Sequence, residues 1–180
     1  MSQAEHEWLA QAVRRVEADP RAIHLLFPQA ERRGGPDARG ALLRALRGDS
    51  AANSAVISAV ISAVISDLYV RGDSGERLAI LSALPDLDAG PEAVGLVEDA
   101  LRTNDTRLVA AALGPYGSAW LDDHSFRQGV LKCVFMGIPL ASVAGLERRF
   151  DAELARMLSD YAAELRAAGR PVPHDVMERI

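Results

Sequence analysis

Apolar residues recur at helical spacing along almost the whole chain, and turn signals cut this pattern into short segments. The segment that follows Asp151 is the clearest example. Leu154, Leu158 and Leu165 fall on one side of a helix there, Asp151 stands at the capping position, and Gly169 supplies the stop. The sequence therefore predicts an all-α fold built from short amphipathic helices.

A tandem Ser-Ala-Val-Ile unit, which begins at Ser54, Ser58 and Ser62, is the segment that needs a choice between strand and helix. As a strand it has no cleanly polar face, whereas as a helix it carries one broad apolar flank. The uncharged run around it, residues 50–66, is shorter than the ~20 apolar residues that a membrane span requires, and Ser and Asn interrupt it. We therefore predict a buried helix and no membrane span.

Two segments about thirty residues apart, 77–85 and 107–115, resemble each other, with Arg-Leu near the start and Ala-Leu before a proline. Paired short helices that recur at this interval are typical of a HEAT-like solenoid. A chain of 180 residues is long enough for one ordinary domain. We predict a single domain of stacked antiparallel helix pairs over residues 1–180, with N-terminal helices in 1–50 and a helical-repeat core in 51–180.

Charge and cysteine content limit the partners and the compartment. The formal net charge of −5 argues against a nucleic-acid partner, and the basic pairs at 32–33 and 148–149 are interpreted as solvated helix ends. The single cysteine, Cys133, excludes an intramolecular disulfide and is interpreted as a small core residue. The start of the chain lacks a basic leader and an apolar segment, so we expect a cytoplasmic protein.

Motifs of the common cofactor enzymes are missing from the sequence. It contains no Walker loop, dinucleotide fingerprint, nucleophile elbow or zinc-spaced Cys/His set, and we predict no cofactor. Asp122, Asp123 and His124 could supply metal ligands. Adjacent aspartates before a helix are more often caps, so we predict no metal site.

Residues 121–135 are the part of the chain in which chemistry could lie. If an aspartate caps a helix there, His124, Gln128 and Lys132 line up at i, i+4 and i+8, with Arg127 beside them. Lys132 is the only lysine of the chain, and burial could make it a base or an amine nucleophile. Alternatively its ammonium reaches solvent or caps a backbone carbonyl, and His124 is an exposed residue of the first turn.

A second polar cluster lies in the turn that contains Asn104 and in the segment around Tyr116. Turns between helices gather on one edge of a solenoid, where Asn104 and Tyr116 could approach the start of the helix at 124–136. Alternatively, Asn104 or Asp105 only caps the next helix. The candidate ligand-binding residues, whose cations suit a phosphate or carboxylate, are Asn104, Tyr116, His124, Arg127, Gln128 and Lys132.

Several segments of the chain resemble the EboA family. They are LYVRGDSGERLAILSALP (68–85), LRTNDTRLVAAALGPYG (101–117), LDDHSFRQGVLKCVFMGIPL (121–140) and LARMLSDYAAELRAAGRPV (154–172). The stretch RQGVLKCVFMGIPL is the most specific of these, and residues 1–50 match weakly. Arg127, Gln128 and Lys132 stand at positions that the family favours, whereas Phe126 stands where the resemblance leads us to expect Trp.

The resemblance implies a small helical protein of an ebo-type gene cluster for the biosynthesis or transport of a secondary metabolite. Our leading hypothesis is a non-catalytic accessory or scaffold protein that binds a protein partner from the same pathway. The alternative is a protein, with or without enzymatic activity, that binds a small phosphate- or carboxylate-bearing metabolite in a pocket around Arg127 and Lys132. A homodimer that buries an exposed apolar stripe is a third hypothesis.

Overall fold

The computed structural model describes residues 2–47, 54–87 and 89–180. Throughout these ranges every regular element is a helix and none is a strand, which confirms the all-α prediction. The chain divides into two compact units, Met1–Leu96 and Val97–Ile180. We refer to them as the N-terminal unit and the C-terminal unit.

The N-terminal unit consists of helices that pack in sequence order, α1 on α3 and α4, α4 on α6, and α5 on α6. Buried aliphatic side chains from α1, α4 and α6, such as Val16, Leu42 and Ile80, form its core. Its helices are α1 (Gln3–Ala18), α2 (Ile23–Leu26), α3 (Ala30–Gly34), α4 (Ala38–Ala45), α5 (Ser54–Arg71) and α6 (Ser74–Ala83), with 3-10 turns at Pro20–Ala22, Phe27–Gln29, Leu84–Asp86 and Gly90–Ala93.

The tandem repeat forms the first part of α5, as predicted. Ile61 and Ile65 are buried, whereas Val60 is 48% exposed, so the apolar flank is narrower than the sequence suggested. The hydroxyl of Ser62 is also buried and donates a hydrogen bond to the carbonyl of Ala89. Residues 50–53 of the uncharged run lie outside the described residues. Within the described part of the chain, no helix is long and apolar enough to cross a membrane.

The C-terminal unit contains most of α7 and the helices that follow it, and α10 packs on both α8 and α12. Aspartates begin three of these helices, because the carboxylates of Asp105, Asp122 and Asp151 accept hydrogen bonds from backbone amides of the first turn. The helices are α7 (Val94–Arg102), α8 (Thr106–Ala112), α9 (Pro115–Trp120), α10 (Asp123–Met136), α11 (Leu146–Arg149), α12 (Ala152–Ala167) and α13 (His174–Met177), with a 3-10 turn at Leu140–Ser142.

Two glycines allow close helix contacts in this unit. A Cβ atom on Gly129 of α10 would lie 3.0 Å from a methyl group of Leu113 and 3.3 Å from one of Leu101. A Cβ atom on Gly117 of α9 would lie only 1.9 Å from the carbonyl oxygen of Ala112. The absence of a side chain at both positions therefore sets how closely α10 approaches its neighbours and how tightly α9 follows α8.

Candidate functional site

An open cavity of about 610 Å³ lies along α10 within the C-terminal unit. Its walls come from α7, from the turn after α7, from α10 and from one residue of α12. The lining residues are Glu98, Leu101, Arg102, Asn104, His124, Ser125, Gln128, Gly129, Leu131, Lys132, Phe135 and Tyr161. Its volume is in the range of small-molecule sites in proteins.

The polar row predicted on α10 lines this cavity. Asp122 caps the helix by accepting a hydrogen bond from the amide of Ser125 at 2.6 Å. The four-residue spacing of His124, Gln128 and Lys132 places them on the same side of α10. Asn104, from the turn after α7, joins them in the cavity wall. Four of the six candidate residues therefore lie around one cavity.

Lys132 is held by the end of α7. Its Nζ atom donates a hydrogen bond of 2.7 Å to the carbonyl oxygen of Leu101, one residue before the last residue of α7. The last carbonyls of a helix have no partner inside the helix, and a cation near them is favourable. Capping of a backbone carbonyl, one of the alternatives that the sequence left open, is thus what Lys132 does.

The hydrogen bond to a carbonyl does not neutralise the charge of Lys132. Within the described part of the chain, the partner of this ammonium is a neutral carbonyl and not a carboxylate. Arg102, which also lines the cavity, differs because it forms an ion pair of 3.2 Å with Asp99. Glu98 contributes one acidic group to the same wall. Lys132 is therefore the cation of the cavity best placed to attract an anionic ligand.

Arg127 is engaged with α12 and is not among the lining residues of the cavity. Its Nε atom donates to both carboxylate oxygens of Asp151, at 3.1 Å each. Asp151 also caps α12 by accepting a hydrogen bond of 2.9 Å from the amide of Leu154. The expected pocket around Arg127 and Lys132 together is thus corrected to one that contains Lys132, since Arg127 connects α10 to the first turn of α12.

The Arg127–Asp151 pair predicts a pH-dependent stability. The hydrogen bond from Arg127, followed by that from Leu154, holds the pKa of the Asp151 carboxyl below its ordinary value of 3.8. A carboxyl with a lowered pKa in the folded state stabilises the fold above its unfolded pKa, and this contribution is lost as the pH falls through the folded value. We expect Arg127→Met to lower the melting temperature at about pH 7 and to lower it less at about pH 3.

Thermal denaturation followed by circular dichroism measures both differences. Arg14→Met, which removes an exposed arginine of α1, serves as the matched control for the lost charge. An equal loss of melting temperature at both pH values would show that the pair contributes no pH-dependent stability.

Tyr116 and Cys133 belong to the core. Tyr116 is 6% exposed in α9, its ring centroid lies 6.3 Å from that of Trp120, and it does not line the cavity. Cys133 is fully buried, and burial raises the pKa of its thiol to about 11, so it stays protonated at neutral pH. The structure therefore separates Tyr116 from the four candidates that line the cavity, and Cys133 has the environment of a small core residue.

Arg149 contradicts the interpretation of the 148–149 pair as a solvated helix end. Its side chain is only 13% exposed, and its guanidinium lies 4.1 Å from the ring centroid of Phe126. It donates hydrogen bonds to the carbonyl oxygens of Ser118, at 3.1 Å, and Leu121, at 2.9 Å, and to the Asp123 carboxylate at 2.8 Å. A single arginine thus connects the end of α11 to α9, to the start of α10 and to the loop between them.

The carboxylates of the two aspartates that were considered as metal ligands form a helix cap and an ion pair. Asp122 caps α10, which also lowers the pKa of its carboxyl, and Asp123 pairs with Arg149. Among the residues that the structure describes, no group of three His, Cys, Asp or Glu side chains could hold a metal ion.

The sequence did not indicate the wall of the cavity that faces α10. Glu98, Leu101 and Arg102 come from α7, and Tyr161 comes from α12. The sequence contained only a weak indication of this wall. Gly129 interrupts a row of large side chains on α10, and this gap is where the side chain of Leu101 approaches the helix.

A comparison with family models supports the resemblance seen in the sequence. The model described as "Metabolite traffic protein EboA" matches residues 38–180, which is most of the chain. No curated protein and no solved structure matches the sequence significantly. The match extends the resemblance upstream to residue 38, which lies within the segment that resembled the family weakly.

Proposed function

This chain belongs to the EboA family, and we propose that it is a non-catalytic accessory protein of metabolite handling in an ebo-type pathway. In this proposal, the protein holds a small phosphate- or carboxylate-bearing metabolite in the cavity beside α10. The description of the family as a metabolite traffic protein supports a role in holding or transferring a metabolite.

The proposal rests on the environment of Lys132 in the cavity wall. A lysine whose hydrogen-bond partner in the described part of the chain is a neutral carbonyl places an ammonium group in the wall of a cavity with the volume of a small-molecule site. An anionic ligand can accept a charge-assisted hydrogen bond from this ammonium, since Nζ has three donor hydrogens and the carbonyl of Leu101 accepts one. The amides of Gln128 and Asn104, from the same wall, are suited to bind the ligand's neutral oxygens.

A binding experiment with Lys132→Met tests the proposal. Small carboxylates, phosphorylated sugars and isoprenyl diphosphates are first screened by thermal shift, because a ligand that binds the folded state raises its melting temperature. The best compound is then measured by isothermal titration calorimetry. We expect Lys132→Met to weaken its binding roughly tenfold to a hundredfold, since hydrogen bonds to charged groups are worth about 1.5–3 kcal/mol.

Arg14→Met is the control for this measurement, because it also removes one positive charge but at an exposed position of the N-terminal unit. Calorimetry is needed beside the thermal shift because Lys132→Met also removes the donor to the Leu101 carbonyl and can itself lower the melting temperature. Equal affinity of Lys132→Met and the unmodified protein for every compound that binds would exclude the cavity as an anion site.

Binding of a protein partner from the same pathway is the second candidate function. The apolar surface that a partner could cover includes Val70 and Leu25, which are 70% and 69% exposed. Co-purification with the other proteins of the gene cluster tests this role, and a failure to retain any of them would count against it. Light scattering of the purified protein tests whether a homodimer covers such side chains instead.

The finer architecture is also proposed. We propose that the helices form one domain of HEAT-like antiparallel pairs in a cytoplasmic protein. The succession of short helices and the packing of α5 on α6 support the helix pairs. An experimental structure tests this arrangement.

A further inference from the structure

Two rows of side chains run side by side where α10 borders the cavity. His124, Gln128 and Lys132 form a polar row at intervals of four residues, and Leu131 and Phe135 form an apolar row at the same interval. Because the rows are adjacent on the helix surface, a ligand that lies along α10 meets polar and apolar side chains at the same time. The cavity is therefore amphipathic across its width.

Phe135 is the most exposed aromatic side chain of this wall. It is 70% exposed although it lines a cavity, and Leu131 and Tyr161, which are partly exposed, lie in the same wall. An exposed aromatic beside a concave site has apolar surface that a ligand can cover, and its ring favours a flat partner. The apolar part of the wall thus has surface available for a ring system.

The charged and the apolar residues of this wall are near enough along α10 for one small ligand to contact both. Lys132 and Phe135 are three residues apart on α10, so their Cβ atoms are about 5–6 Å apart. An anionic group held by Lys132 and an apolar body held by Phe135 can therefore belong to one small molecule. A compound that carries an acid on a ring system has both parts.

From these observations we infer that the ligand is an amphipathic anion, in which a carboxylate or phosphate is joined to an apolar ring system. The anionic group accepts a hydrogen bond from Lys132, and the rings lie against Phe135 and Leu131. This inference rests on the proposed function and adds an apolar part to the ligand. Anion binding alone requires Lys132 but not Phe135.

Calorimetric titrations with four probes test the inference. The probes are 2-naphthoate, its uncharged analogue 2-naphthalenemethanol, acetate and inorganic phosphate. We expect 2-naphthoate to bind more tightly than the other three. Phe135→Ala should weaken 2-naphthoate about tenfold and leave acetate and phosphate unchanged, and Lys132→Met should weaken 2-naphthoate but not 2-naphthalenemethanol.

Leu25→Ala is the matched control, since Leu25 is 69% exposed but belongs to the N-terminal unit. Because Phe135 is exposed, its replacement should leave the melting temperature almost unchanged, and circular dichroism verifies this. Binding of 2-naphthoate that Phe135→Ala does not weaken, or no binding of 2-naphthoate, would overturn the inference. If Lys132→Met weakened the binding of acetate or phosphate, the proposed function would stand without the inference. If Lys132→Met weakened the binding of no anion, both the proposed function and the inference would be wrong.

Discussion

Replacing Gly117 with alanine is expected to destabilise the protein by roughly 3 kcal/mol or more. The added Cβ atom would lie 1.9 Å from the carbonyl oxygen of Ala112 and 3.1 Å from its carbonyl carbon. These are backbone atoms, so the clash cannot be relieved by a rotation of a side chain. The tight turn from α8 into α9 has to open, and urea unfolding followed by circular dichroism measures the cost.

Gly95→Ala provides the matched comparison. Gly95 lies in α7 at an exposed position, and nothing lies within 4 Å of the position that its Cβ atom would occupy. Alanine there should stabilise the protein by about 0.5–1 kcal/mol, because glycine loses more backbone freedom in a helix. If the two substitutions had the same effect, the close approach of α9 to Ala112 would be refuted.

Arg149→Met is expected to cost about 2–4 kcal/mol of unfolding free energy. Methionine keeps part of the apolar stem but removes the guanidinium over Phe126 and the donors to the carbonyl groups of Ser118 and Leu121. Both carbonyls then lose a charged donor in a partly buried environment, in which water replaces it poorly. Urea unfolding at neutral pH gives the difference.

Two further variants test which contacts of Arg149 account for the expected loss of stability. Arg148→Met changes the neighbouring residue, whose exposed side chain makes one hydrogen bond of 3.3 Å to the hydroxyl of Ser118, and it should cost less than about 1 kcal/mol. Arg149→Lys keeps the charge but loses the planar fork that reaches several acceptors, so it should recover only part of the loss. Equal stability of Arg148→Met and Arg149→Met would mean that the contacts of Arg149 contribute no more to the free energy of unfolding than the hydrogen bond of Arg148.

Helix ends and helix faces were predictable because they depend on residues close together in sequence. Asp151 caps α12 as expected, and Asp122 is the one of the two adjacent aspartates that caps α10. The four-residue spacing of His124, Gln128 and Lys132 was sufficient to place them on one side of α10. The same local pattern predicted that the helices would dominate the fold. The EboA resemblance, which rested on segments from residue 68 onward, was confirmed by the match over residues 38–180.

The contacts between helices could not be predicted in this way. Arg148 and Arg149 are the same residue type at adjacent positions, yet one is exposed and the other is nearly buried, because one step along α11 turns the side chain by about 100°. Arg127 and Lys132 looked equally suited to bind an anion. Asp151, which is distant in sequence, pairs with the first, and the end of α7 holds the second.

The position of the chain's single lysine also makes it a built-in reporter. Amine-directed reagents, such as formaldehyde with a mild reductant, modify lysine side chains and the α-amino group of the chain. In this protein, such a reaction places one isotope-labelled methylated amine in the cavity beside α10 and one at the start of the chain. Methylation retains the charge, so the resonance of Lys132 can follow what enters the cavity without any engineered label, and the α-amino resonance serves as an internal reference.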